Sequence, residues 1–172
     1  MPILPKPTQM KMVPLSNNNR LGTLQTLKIM WGLAKEGKSH VDIYHLSRQI
    51  VVNLPNKAFK QEVVAIYDWV ANNIRYTQDV REVETLQTPD WTVKMLQGDC
   101  DDHAVLLAAL LQSIGHPVRF VAIKCQGAGP YYVHVFTETK IGPRWVALDT
   151  TVPEKDIGFV DAKAYDPIFY SR

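Results

Sequence analysis

The stretch Leu96-Gln97-Gly98-Asp99-Cys100-Asp101-Asp102-His103, running on into Ala104-Val105-Leu106-Leu107-Ala108-Ala109-Leu110-Leu111, decides how the rest of this chain is read. A turn-forming Gly-Asp pair precedes a cysteine that opens a run of strong helix formers. Cys100 is therefore expected in the first turn of a buried helix. Unsatisfied backbone N–H groups and the positive end of the helix dipole favour an anion there, which predicts a lowered thiol pKa. A nucleophile so placed needs a base from elsewhere in the chain.

Outward from this stretch, the helix is expected to run from Cys100 to about Ile114, with Gly115 in the C′ role and Pro117 preventing resumption. Leu106, Leu107, Leu110, Leu111 and Ile114 cover more than half its circumference and Ala104, Ala108 and Ala109 much of the rest, so it should be enclosed by other elements. Beyond Pro117 the apolar period changes from about 3.6 to 2, and residues 118–124, 131–138 and 144–150 read as three antiparallel strands. Upstream, residues 22–35, 41–52 and the Val63, Ile66, Tyr67, Val70, Ile74 stripe read as helices, the last behind an Asn56 cap. Residues 74–79 read as extended. Thr88-Pro89-Asp90 reads as a stop and cap before a short helix reaching about Gln97.

Residues 1–20 hold Pro2, Pro5, Pro7, Pro14 and an Asn17-Asn18-Asn19 run, and are expected to be an extended arm, available to dock on an assembly partner. Residues 21–172 are expected to form one domain, with the motif-bearing core over about 60–151. The tail from Val152 shows no assignable pattern. A chain of 172 residues, 46% hydrophobic and 21% charged, can bury one core but is short for two. The net charge of +2 is interspersed, with no basic stripe interleaved with aromatics, which argues against nucleic acid as a partner. Two cysteines make no disulfide framework, and no apolar run has signal-peptide or membrane-span length, so a soluble protein is expected.

The base follows from turn geometry. A hairpin about Ile141-Gly142 places His134 directly opposite Asp149, with Cβ atoms about 5 Å apart. The imidazole can then donate one ring N–H to the carboxylate and keep its other nitrogen for a thiol, while the carboxylate fixes the tautomer. A one-residue slip in this register would put Asp149 on the other face. Each residue alone has a duller explanation: a buried small apolar cysteine, a satisfied sheet histidine, a turn aspartate. Their combination is what points to chemistry. A zinc reading of Cys100, His103, Cys125 and His134 rests on Cys100-x-x-His103 alone, because the remaining spacings are long and irregular. His103 also fits a solvated or hydrogen-bonded helix position.

Gly98-Asp99-Cys100-Asp101-Asp102, Ile114-Gly115-His116-Pro117-Val118-Arg119, Tyr132-Val133-His134-Val135-Phe136 and Trp145-Val146-Ala147-Leu148-Asp149-Thr150 together resemble the transglutaminase-like superfamily of cysteine acyl-transfer enzymes. The resemblance implies an α+β, papain-like fold in which a Cys-bearing helix, with N-terminal helices around it, packs on an antiparallel sheet carrying His and Asp. It implies Cys100 as nucleophile, His134 as general base and acid, Asp149 as the orienting carboxylate, and Tyr76, in the matching Ile74-Arg75-Tyr76 segment, as a residue lining the site. The backbone N–H of Cys100 with a neighbouring donor would hold the oxyanion. Two positions depart from the family's pattern: Phe136 where many relatives carry Trp, and Thr150 where many carry Pro. The resemblance implies a protein or peptide amide substrate, no cofactor, no metal and no calcium requirement. By analogy, the setting is a bacterial cytoplasm or a phage particle, where the same fold can serve as a structural or assembly component, with or without activity.

Overall fold

The computed structural model describes residues 13–16, 19–78, 85–127, 129–152, 156–161 and 163–171. Most of the arm expected over residues 1–20 lies outside them. Asn19 and Arg20 already belong to the first helix, α1 (Asn19–Gly37), which is followed by α2 (Val41–Val51) and α3 (Phe59–Asn73). The Asn56 cap is not used. The residue before α3 is Ala58, with no side-chain capping bond, and the chain enters this helix through the 55–58 turn instead. A short strand β1 (Arg75–Tyr76), α4 (Pro89–Met95) and β2 (Gln97–Gly98) lead to α5 (Cys100–Ser113). Asp90 lies within the first turn of α4, where an acid complements the helix dipole, and Pro89 takes the first position, where its missing N–H costs nothing.

Helix α5 is the axis of the molecule. Residues Asp101 through Leu111 are all buried, and α1, α2, α3, α4 and the sheet pack around it. Asp99 caps it, its Oδ1 accepting from the N–H groups of Asp101 and Asp102 at 3.1 and 3.2 Å. Gly115 closes it at φ +95°, a conformation that a Cβ would strain.

The sheet holds β3 (Val118–Cys125), β4 (His134–Ile141), β5 (Arg144–Leu148) and β6 (Ala164–Tyr170), in the order β5-β4-β3-β6 and antiparallel throughout. Alternation works as expected: Phe120, Ala122 and Val135 join the main core, while Val121, Ile123, Phe136 and Ala147 form a second cluster. On the α5 side the Thr137 hydroxyl donates to the Ala104 carbonyl at 2.9 Å, tying sheet to helix.

The structure assigns the tail, which the sequence left open, and moves the hairpin turn. The tail supplies a fourth strand, β6, because Pro167 and the left-handed Asp166 (φ +51°), which disrupt a strand pattern, are tolerated on an edge. The β4–β5 hairpin pairs Ile141 with Arg144, so the two-residue turn is Gly142-Pro143 rather than Ile141-Gly142. Pro143 has no N–H to give a ladder and belongs in the turn. His134 and Asp149 are therefore not directly opposite. The register differs by two residues, however, and a shift of two preserves the face.

Candidate active site

The site forms where the N-terminal end of α5 meets the start of β4 and the exit of β5. Parallel pairing of Arg75 with Gln97 and Tyr76 with Gly98 lays β1 alongside the turn that launches α5. Gly98 is required there, because a Cβ on it would fall 2.5 Å from the Asp102 Cβ. Asp102 in turn accepts from the Gln87 backbone N–H at 2.7 Å and from the Gln87 amide at 2.6 Å, which holds the segment before α4 against the helix.

Cys100 is the first residue of α5, and the Val135 main-chain N–H reaches its sulfur. The cysteine thus lies beside the chain neighbour of His134. Its thiol donates to Asp101 Oδ1 at 3.6 Å. The lowered thiol pKa expected from the helix terminus is overturned. Burial, then the carboxylates of Asp101 and Asp99, push the thiol well above its ordinary range, and the Val135 N–H opposes them only in part. Partial charges at a helix end are worth less than full charges on adjoining residues in a desolvated site.

His134 Nε2 lies 2.6 Å from Asp149 Oδ2, which leaves Nδ1 for another partner. Asp149 Oδ1 accepts from the Thr151 backbone N–H at 3.1 Å and from its hydroxyl at 2.7 Å. Burial raises the Asp149 pKa, but the His134 bond and charge together with the Thr151 bonds outweigh it and hold the carboxyl below the usual range. The Tyr67 hydroxyl fixes the Asp149 backbone, donating to its carbonyl at 3.1 Å.

Tyr76, half-exposed, sits with its ring 6.2 Å from that of His103, and its phenol is pushed up by burial and then by the neighbouring Cys100. Cys100, His103, Cys125 and His134 do not assemble into a ligand set. Among the described residues no cluster of three or more histidines, cysteines and carboxylates can hold a metal. The residue that sequence reasoning left undecided is His103, which is buried and whose Nδ1 lies 2.9 Å from Thr150 Oγ1. Its signal was the i+3 spacing from Cys100, which places both on one side of α5. None of the described helices is long and apolar enough to cross a membrane.

The sequence model of the transglutaminase-like superfamily matches residues 44–150. No curated protein sequence matches the chain. Among solved structures, a candidate cysteine protease from Cytophaga hutchinsonii is similar at 22% identity and a TM-score of 0.53, over 76% of this chain and 48% of that one. A candidate protease from Parabacteroides distasonis is similar at 15% identity and a TM-score of 0.55, over 72% of this chain and 26% of that one. Calcium-bound LapG of Legionella pneumophila is similar at 15% identity and a TM-score of 0.60, over 83% of each chain. This chain thus spans about half the length of the first and about a quarter of the second. The likeness is one of fold, an α+β architecture of the papain-like, transglutaminase-like kind.

Proposed function

The chain belongs to the transglutaminase-like superfamily, and from that premise we propose that it is a cysteine peptidase or amide hydrolase with Cys100 as nucleophile, His134 as base and acid, and Asp149 as the carboxylate that orients the ring. The observation that carries this reading is the 2.6 Å bond between His134 Nε2 and Asp149 Oδ2, one residue along the chain from the N–H that meets the Cys100 sulfur. Two solved structures of similar fold are of candidate proteases, one of them a candidate cysteine protease, which favours a protein or peptide substrate.

Because burial and two carboxylates disfavour a resting thiolate, the proton leaves the sulfur as the attack occurs. His134 Nδ1 takes it, the sulfur adds to the amide carbonyl, and the oxyanion is held by the Cys100 backbone N–H with a neighbouring donor. His134 then gives the proton to the leaving amine, and the C–N bond breaks to leave a thioester. Water, activated by the same imidazole, hydrolyses the thioester and restores the thiol. Tyr76 lines the approach to the sulfur.

The test is intact-mass measurement after incubation with an activated amide. An acyl adduct on the wild-type chain and on Cys125→Ser, absent from Cys100→Ala, is the expected result. An adduct that survives in Cys100→Ala overturns the assignment.

A further inference from the structure

We propose that His103 is a positioning residue: through the Thr150 hydroxyl it holds the segment carrying Asp149 against the cysteine-bearing helix. The inference rests on the roles proposed above for Cys100, His134 and Asp149.

Strand β5 ends at Leu148, so no pairing with β4 holds Asp149 or the residues after it. What ties this segment to the helices is side chains. Tyr67 on α3 grips the Asp149 carbonyl, and His103 on α5 meets Thr150 at 2.9 Å. The Thr151 bonds to Asp149 are local to the segment and anchor it to nothing else. His103 is one helical turn after Cys100, so the contact links the nucleophile's own helix to the residue next to the acid.

The ring is 2% exposed and Thr150 4%. Burying an imidazole and a hydroxyl at such depth costs free energy unless they bond each other, and a phenyl ring would fill the space without that cost. Burial, against the opposing charge of Asp149, pushes the His103 pKa down to about 4, so the ring is neutral and one nitrogen carries a proton. Nδ1 shares a hydrogen bond with the Thr150 hydroxyl, in the direction the ring tautomer sets; the Arg75 carbonyl on β1 lies near the ring, but the buried Nε2 has no hydrogen-bond partner among the described residues. One histidine thereby joins α5 to the Asp149 segment, two elements distant in the chain.

Two substitutions at Thr150 test this. Thr150→Val keeps the shape and loses the hydroxyl, whereas Thr150→Ser keeps the hydroxyl. Thr150→Val is expected to lower kcat about tenfold with KM unchanged, the size of one lost orienting bond, and Thr150→Ser to stay near wild type. A readout without turnover is the carbon NMR titration of the Asp149 carboxyl, which should move up toward the ordinary carboxylate range in Thr150→Val and not in Thr150→Ser. Adding His103→Phe to Thr150→Val should cost little more than Thr150→Val alone. Equal behaviour of the Val and Ser variants, or an unmoved Asp149 titration in Thr150→Val, overturns the proposal. Should the wild-type chain form no acyl adduct, the catalytic reading fails on its own, while the titration still decides whether His103 positions Asp149.

Discussion

Two histidine–carboxylate pairs in this molecule look alike by distance and differ in the polar groups around them. His116 Nε2 lies 2.8 Å from Glu62 Oε2, and His134 Nε2 lies 2.6 Å from Asp149 Oδ2. Each has a phenyl ring beside it, Phe59 at 6.1 Å and Phe136 at 6.2 Å between centroids. His116 follows the C-terminal end of α5, near hydroxyls that are turned onto protein partners: Ser113 donates to Ser47 at 2.7 Å, and Ser47 bonds the Ile43 and Leu110 carbonyls. His134 opens β4, next along the chain to Val135, whose N–H meets the part-buried Cys100 sulfur. The same kind of pair is a structural clamp in one place and a candidate base in the other, and the thiol that meets the next residue's main chain, not the ion-pair geometry, separates them.

The largest effect expected is on turnover. His134→Ala should lower kcat/KM about a thousandfold, the usual worth of a positioned acid–base group. His116→Ala should leave kcat/KM within about twofold while costing about 2 kcal/mol of stability, because Glu62 loses its partner in a mostly buried place. Steady-state kinetics and urea unfolding on both variants check this. Similar losses of activity in the two would erase the distinction.

Acid should loosen the end of α5 that carries His103. His103, near Asp149, is lowered from 6.5 to about 4 in the folded chain. Between those values the unfolded chain binds a proton that the folded chain does not, so stability falls as pH drops through this window. The loss is on the order of 3 kcal/mol if the whole shift is realised. Asp149, held low, adds stability above the ordinary carboxylate range that is lost only as pH falls further, through its folded value. Urea unfolding across pH should show a slope between pH 6.5 and 4 that His103→Phe flattens. A slope unchanged by that substitution would assign the acid sensitivity elsewhere.

Helix α5 was legible because every level agreed: a capping Asp99, strong helix formers, and a closing Gly115. The shared face of His134 and Asp149 survived a misplaced turn only because the error was even; Pro143 was the residue that marked the true centre. Strand β6 was hidden because Pro167 and Asp166 read as breakers, and only its edge position, which is tertiary, makes them acceptable. The thiol was misjudged by giving a helix end more weight than burial and then the two aspartates flanking Cys100, whose charges were in plain view. The tie between His103 and Thr150 needs coordinates. Its trace in the chain was Thr150 itself, standing where the resemblance led one to expect a proline.

The smallest effects concern the clamp, and they sharpen its contrast with the candidate base. Glu62→Gln keeps a hydrogen-bonding oxygen near His116 and should cost about 1 kcal/mol of stability, whereas Asp149→Asn, the matching change at the other pair, should remove most activity. Phe59→Ala should cost less still, about 0.5 kcal/mol, because Phe59 is 61% exposed and only edges the His116 ring. Its counterpart Phe136 is 4% exposed inside the second cluster, where truncation opens a cavity. Thermal unfolding of Phe59→Ala measures the difference directly. A loss as large as that of a core phenylalanine would mean the His116 pair depends on its ring for shielding from water, and that both pairs are enclosed in the same way.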